Sequence, residues 1–138
     1  MSSSQNVVEA VYARLTIAGA LNTDLGGRIY HQLAGQNAVL PLLVFDVLSF
    51  PLVRTFGNNL TYTAEIHFDI FCERDVGGAA ALGAGTLEED LFANLDNQSL
   101  TVTGLDRGLV LFTDRGVRTI DEDTIRTSST ARLTGTTT

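Results

Sequence analysis

The sequence predicts an α+β domain, in which a mainly antiparallel β-sheet carries two helices on one face. Apolar residues recur at helical spacing near the start of the chain and again after its midpoint. Between and after these segments, apolar and polar residues alternate in runs of strand length. Helices gathered on one side of an antiparallel sheet suit this order of elements. With 138 residues, 44% of them apolar, the chain is expected to form one domain around a single core.

The first helix is predicted over residues 7–20. Its apolar residues recur at steps of three and four, the spacing that places them on one helix face. Asn6 is the expected N-cap, with Glu9 as its capping-box partner. Gly19 and Asn22 mark the expected end of the helix.

Three strands are predicted next. A turn at residues 24–27 leads to a short strand at 28–33, and Pro41 opens an apolar strand at 42–48. From Leu60 to Glu73 apolar and polar residues alternate almost strictly, with Phe71 as the exception. This alternation indicates one packed face and one solvated face. The run is much longer than a common strand, so part of the hairpin around residues 51–59 is expected to project from the domain and contact another molecule.

A second helix is predicted over residues 76–95, after Asp75 as its N-cap. Four β-type segments follow, at 100–103, 109–112, 117–120 and 124–133. The glycines within 106–108 and 114–116 indicate turns or bulges, and 121–123 reads as a further turn. Residues 135–138 end a Ser/Thr-rich stretch and are expected to fray.

Charge and cysteine content exclude several functional classes. The net charge is −7, and all nine basic residues are arginine without a basic block, which argues against binding to nucleic-acid phosphates. The absence of lysine excludes Schiff-base chemistry and a P-loop. The single cysteine, Cys72, excludes an internal disulfide and a cysteine-rich zinc site. No apolar run is long enough for a membrane span, and the first residues lack a signal-peptide pattern, so we expect a soluble protein made in the cytoplasm.

The polar face of the long strand carries the best candidates for chemistry. Glu65, His67 and Asp69 follow one another on it, as a metal or acid–base site would require, although such a row is usually a solvated face. A metal would need a further ligand from another strand, and His31 is the only other histidine. Alternation places Cys72 on the opposite face, where it reads as a buried thiol. No cofactor, metal or catalytic site is predicted, and the protein is expected not to be an enzyme.

The order of motifs resembles a known family of virion proteins. A first helix is followed by Leu25-Gly26-Gly27-Arg28-Ile29-Tyr30, and Pro41 then introduces the apolar strand. The long strand ends in Phe68-Asp69-Ile70-Phe71, before a helix that carries leucines at positions 87, 91 and 95. Over residues 7–133 the chain resembles the small tail-completion or tail-terminator proteins of long-tailed bacteriophages and related gene-transfer particles. Beyond Thr101 the match is in β character alone.

This resemblance implies a structural protein of the virion neck or tail. Such proteins form a ring, usually of six subunits, that caps the head-proximal end of the tail tube, stops its polymerisation and docks the head. The implied partners are other copies of the chain, the tail tube protein and the head–tail connector or head-completion protein. DNA would pass through the ring without being specifically bound, and no membrane is involved. A chain charge of −7 suits such a channel, because like charge repels phosphates.

Two sets of residues are candidates for these contacts. Turns and strand edges supply the candidates for the interface between subunits or with partners, which are Arg28, Arg54, Phe56, Asn58, Asn59 and Arg115. Acidic residues of the long strand and of a late turn are the candidates for the lumen, and they are Glu65, Asp69, Asp121, Glu122 and Asp123. The arginines could equally be surface charge.

Three other functions remain open from the sequence. The first is another structural role, as a head-completion or tail-tube subunit. The second is a small-ligand enzyme that uses Glu65, His67 and Asp69, and the third is a regulatory binding module with an α+β fold.

Overall fold

The computed structural model describes residues 4–34, 39–49, 52–54, 60–73, 84–103, 107–120 and 124–137. In these ranges the chain forms three helices and seven strands. The helices are α1 (Ser4–Leu15), α2 (Ala20–Leu25) and α3 (Ala84–Leu95). The strands are β1 (Ile29–His31), β2 (Leu42–Ser49), β3 (Leu52–Arg54), β4 (Leu60–Glu73), β5 (Gln98–Ser99), β6 (Arg107–Ile120) and β7 (Thr124–Thr137).

All seven strands belong to one sheet, in the order β1-β2-β4-β7-β6-β5, and β3 pairs with β4 beside β2. Only β1 and β2 are parallel to each other among the described pairs, and the remaining pairs are antiparallel. Buried residues of all three helices join one core cluster with the inner face of β4. The predicted α+β class and mainly antiparallel sheet are therefore confirmed, with three helices where two were expected.

The centre of the sheet is the long antiparallel pair of β4 and β7. They pair residue for residue, from Leu60 opposite Thr137 to Glu73 opposite Thr124. The inward residues of β4 are almost completely buried, and they are Tyr62, Ala64, Ile66, Phe68, Ile70 and Cys72. This confirms the predicted strand, its boundaries and its buried face. Strand β4 lies inside the sheet, because it pairs with strands on both sides. Of the connection expected to project, residues 51–59, residues 51 and 55–59 lie outside the described ranges.

The end of the chain differs from the prediction. Residues 135–137, expected to fray, continue β7 and pair with the first residues of β4. Gly135 is buried opposite Tyr62. Threonine favours extended backbone, so a Thr-rich end suits a strand when a partner strand is present.

The predicted first helix, residues 7–20, ends early, and a separate helix, α2, occupies residues 20–25, where the end of the helix and a turn were expected. α1 ends at Leu15, because the Asn94 amide of α3 donates to the Arg14 carbonyl (3.2 Å) while Arg14 Nε donates to the Asn94 carbonyl (2.9 Å). The Thr16 hydroxyl also donates to the Tyr12 carbonyl at 2.8 Å. Asn6 is not a cap: it lies within α1, and its Nδ2 donates to the Thr103 carbonyl at 3.1 Å.

The second half of the sheet also differs from expectation. The two strands predicted at 109–112 and 117–120 are one strand, β6, with a bulge at residues 112–117 where Gly116 has φ of 63°. Gly108 lies inside β6 rather than in a turn, and Leu100 belongs to the core but not to a strand. Asp106, residues 121–123 and the first part of the predicted second helix, 76–83, lie outside the described ranges.

Candidate assembly surfaces

One face of the sheet carries no helix among the described residues, and we call it the helix-free face. Odd-numbered residues of β4 point to it, because their even-numbered neighbours are buried under the helices. Glu65 and Asp69, two of the predicted lumen residues, therefore lie on this face together with His67. The predicted polar row is confirmed as a feature of one face.

Asp69 is the centre of a polar network on the helix-free face. Its carboxylate accepts hydrogen bonds from Ser128 Oγ at 2.6 Å and from Arg126 Nε and Nη2, both at 3.1 Å. His67 Nε2 lies 3.1 Å from the same carboxylate. β7 positions Ser128 directly opposite Asp69 and Arg126 opposite Phe71. The side chain of Asp69 is only 14% exposed.

This network holds Asp69 as an ionised carboxylate whose charge is balanced by neighbouring groups. Burial raises the pKa of Asp69, but the hydrogen bonds from Ser128 and Arg126 and the charges of His67 and Arg126 outweigh it, so the pKa lies below 3.8. Asp69 is therefore ionised at neutral pH and its charge is matched by Arg126. The Thr130 hydroxyl lies 3.5 Å from His67 Nδ1, a distance at the outer limit of a hydrogen bond. Such an arrangement rigidifies the face.

The structure does not join the three residues of the predicted chemical row into one site. Glu65 is exposed and lies opposite Arg132, two residues from His67 on the strand. His31, the other histidine, lies 3.3 Å from Asp46 on β2. Within the described ranges, no three His, Cys, Asp or Glu side chains are grouped to hold a metal ion. Cys72 is buried on the opposite face, as expected, and burial raises the pKa of its thiol.

Two of the predicted interface arginines bind within their own chain. Arg28 Nε donates to the Pro41 carbonyl at 2.8 Å, which ties the end of α2 to the start of β2. Arg115 forms an ion pair with Asp96, and its guanidinium lies 4.7 Å from the centre of the Phe92 ring. Arg115 still exposes 51% of its side chain. Both residues thus have a structural role in the subunit.

The other predicted residues lie where the structure gives no side-chain description. Arg54 ends β3, and its backbone pairs with Leu60. Outside the described ranges lie Phe56, Asn58, Asn59, Asp121, Glu122 and Asp123.

A feature that the sequence did not indicate is the outer edge of β6. β5 pairs with β6 only at Leu109 and Val110. Over the rest of β6, no described strand lies beside that edge. Exposed apolar side chains follow β6 on the helix-free face; we call them the β6 strip, and they are Leu109 (41% exposed), Leu111 (47%) and Val117 (61%).

A second missed feature is a concavity of about 520 Å³ beside β1 and β2. Residues that follow β1 and precede β2 line one side, and strands β2 and β4 line another. We call it the apolar groove after its main lining residues, Leu33, Leu40, Leu42, Val44 and Phe71. Asp69 and Arg126 also border it, so the groove adjoins the helix-free face.

The described helices include none with the length and apolar character needed to cross a membrane. No protein-family model matches the chain, and no curated protein matches it.

Comparison with solved structures gives a clear match in fold. A protein chain in the virion of a native gene transfer agent (GTA) particle superposes with a TM-score of 0.65 and 16% sequence identity. The match covers 92% of each chain. The two chains share a fold. At this identity the likeness concerns the arrangement of helices and strands, and it extends over nearly the whole length of both proteins.

Proposed function

We propose that this protein is a structural subunit of a phage-type virion, which forms a ring at the head-proximal end of the tail tube. The observation that carries the proposal is the fold shared with a chain of a GTA virion over 92% of both chains. The resemblance of residues 7–133 to tail-terminator proteins adds the particular position. In this role the ring, usually six-membered, stops tube polymerisation and docks the head or connector.

Two sheet edges that no other described strand covers support assembly with other copies of the chain. β6 offers its outer edge on one side of the sheet, and β1 with β3 forms the other side. Unpaired strand edges and exposed apolar side chains are the usual sites of association. Because the two sides differ, a contact between them is heterologous and closes into a ring when the rotation per subunit is right.

The middle of the helix-free face, between the β6 strip and the apolar groove, suits the wall of a channel. It presents hydroxyl groups and the acidic Glu65, while the charge of Asp69 is held by Arg126. With a net charge of −7 on each chain, a ring repels DNA phosphates along its wall. Glu65, Asp69 and the segment Asp121–Asp123 remain the proposed lumen residues. DNA would then slide through the ring without being bound.

The contacts with the tail tube and the head connector are assigned to loops and edges. The connection between β3 and β4 contains Phe56, Asn58 and Asn59, next to Arg54. Together with Arg28 and Arg115 these residues remain the proposed docking positions. The protein would be made in the host cytoplasm and act in the virion.

The test is to find the protein in particles and count it. Purified protein is measured by light scattering and native mass spectrometry, and particles are imaged by electron microscopy with labelled protein. One ring for each tail, at its head-proximal end, is the expected result. Removal of the gene should give tails of irregular length without heads.

The alternatives give different images. A tube subunit would stack along the whole tail, and a head-completion protein would stay on heads that lack tails. A protein that remains monomeric at high concentration and is absent from particles would refute the proposal. No observation in the structure favours an enzyme or a regulatory module.

A further inference from the structure

We propose that the apolar groove of one subunit receives the β6 strip of a second copy of the same chain. This inference rests on the proposed function, because it names the contact by which neighbouring subunits would join. It specifies two different surfaces, one at each side of the sheet.

The β6 strip has the properties of a covered surface. The register of β6 with β7 places Leu109, Leu111 and Val117 opposite Thr134, Arg132 and Ser128, so all three project from the helix-free face. Between 41% and 61% of each residue is exposed in the single chain. Arg115 and Arg118 pair with Asp96 and Glu88, whereas the exposed Arg132 lies opposite Leu111 on the same face, so the strip is apolar with one cationic neighbour.

The apolar groove has matching chemistry. Its volume of about 520 Å³ lies within the usual range of sites that enclose small apolar groups. Leu33 stands at its rim with 82% of its surface exposed. Among the described lining residues, the charged ones are Asp69 and Arg126, which already pair with each other, so docking of aliphatic side chains leaves neither of them without a partner.

The same groove is poorly suited to a polar small molecule. Asp69 already has Ser128, Arg126 and His67 as partners, and Arg126 donates both of its described hydrogen bonds to Asp69. Binding sites for polar ligands need free polar groups to orient the ligand. Gln32 and Thr124 also line the groove, but neither carries a charge, and apart from these two and the Asp69–Arg126 pair the lining is aliphatic or aromatic.

The positions of the two surfaces favour a copy of the chain as the occupant. The groove lies beside β1 and β2, whereas the strip lies on β6, toward the other end of the sheet order. Each subunit can therefore give its strip to one neighbour and its groove to the other. Such a contact repeats from head to tail, and it closes into a ring when the rotation per subunit is right.

The experiment uses two full-length variants and a matched control. Leu33→Glu places a charge at the groove, and Val117→Glu places one on the strip. Ile17→Glu is the control, because Ile17 is also an exposed apolar residue (50%) but lies between α1 and α2, away from both surfaces. All three positions are exposed, so the variants should keep the circular dichroism and melting temperature of the unmodified protein.

Self-association is measured by analytical ultracentrifugation over a wide concentration range. Leu33→Glu and Val117→Glu should each weaken it by about 100-fold or more, since each would bury an unpaired carboxylate. Ile17→Glu should assemble normally. A mixture of the two defective variants should form dimers and nothing larger, because each pair retains one intact groove and one intact strip.

The outcomes separate this inference from the proposed function. Unmodified protein that forms rings, together with Leu33→Glu or Val117→Glu that forms them equally well, would overturn the groove contact alone. A mixture that stays monomeric would also overturn it. Unmodified protein that never associates, in solution or on particles, would overturn both.

Discussion

Replacement of Gly108 by alanine tests the close approach of β6 to the segment after β5. An ideal Cβ at this position would lie 2.6 Å from the Leu100 carbonyl oxygen and 3.1 Å from Leu133 Cδ1. The backbone cannot easily move away, because Leu100 N donates to the Gly108 carbonyl at 2.8 Å. Overpacking of this kind costs about 1–3 kcal/mol, and a lost hydrogen bond adds about 1 kcal/mol. Against this, alanine restricts the unfolded chain and restores about 0.4–1 kcal/mol.

The expected net loss for Gly108→Ala is about 2–3 kcal/mol in the free energy of unfolding. For a domain of this size that corresponds to a melting temperature roughly 6–10 °C lower. Thermal and urea denaturation followed by circular dichroism measure both quantities. The matched control is Gly19→Ala, since its added Cβ would meet only the Ile17 carbonyl oxygen, at 4.0 Å. Because Gly19 is the N-cap of α2, where glycine is preferred over alanine, its stability should fall by no more than about 1 kcal/mol. Equal stability of the two variants would refute the close approach.

Two further predictions concern residues outside the hydrophobic core. Burial and the neighbouring Asp24 carboxylate raise the pKa of Asp90 to about 6. The stabilisation from this raised pKa is complete below about pH 4 and is lost as the pH rises through 6. We therefore expect Asp90→Asn to be more stable than the unmodified protein by about 1 kcal/mol at pH 8 and equal to it at pH 4. A pKa raised by about two units allows at most about 3 kcal/mol, and solvent screening of the partly exposed carboxylates reduces this value. Urea titrations at both pH values measure the difference, and a difference that does not depend on pH would contradict the prediction. Gly116→Ala should cost about 1–3 kcal/mol, because Gly116 has φ of 63° and its Cβ would lie 3.0 Å from Glu88. Gly27→Ala, with φ of 75° and open space around the added methyl group, isolates the backbone part of that cost, so equal melting temperatures would show that Glu88 moves aside freely.

Strand β4 was predictable because burial dictates its pattern. One side of the strand lies under the helices and the other faces away from them, so apolar and polar residues alternate for as long as the strand lasts. The same alternation correctly placed Glu65 and Asp69 on one face and Cys72 on the other. For β7 this signal is weak, since Thr127 and Ser129 are polar residues at buried positions. The extension of β7 to Thr137 depends on pairing with β4, which the residue pattern of β7 alone does not reveal.

The errors arose where distant residues decide local structure. α1 ends where Asn94 binds Arg14, a contact across 80 positions of sequence. The helical spacing of apolar residues continues past that point, so the spacing alone predicted a longer helix. Gly108 was interpreted as part of a turn or bulge, whereas it is required for close approach to Leu100. Likewise, the two β7 partners of Asp69, Arg126 and Ser128, lie 57 and 59 positions away from it. Such contacts follow from strand register, which the sequence does not state.

The bulge in β6 bears on how subunits would join. A long, flat, unpaired edge tends to pair indiscriminately with other chains, and bulges are a common means of preventing this. In β6 the register shifts between Phe112 and Val117, so a partner strand could not pair continuously along that edge. Contacts made by side chains, such as Leu111 and Val117 entering a groove, do not need continuous pairing. The same edge can therefore stay unpaired in a single subunit and still provide a specific contact in the proposed ring, because shape and apolar surface would select the partner in place of backbone hydrogen bonds.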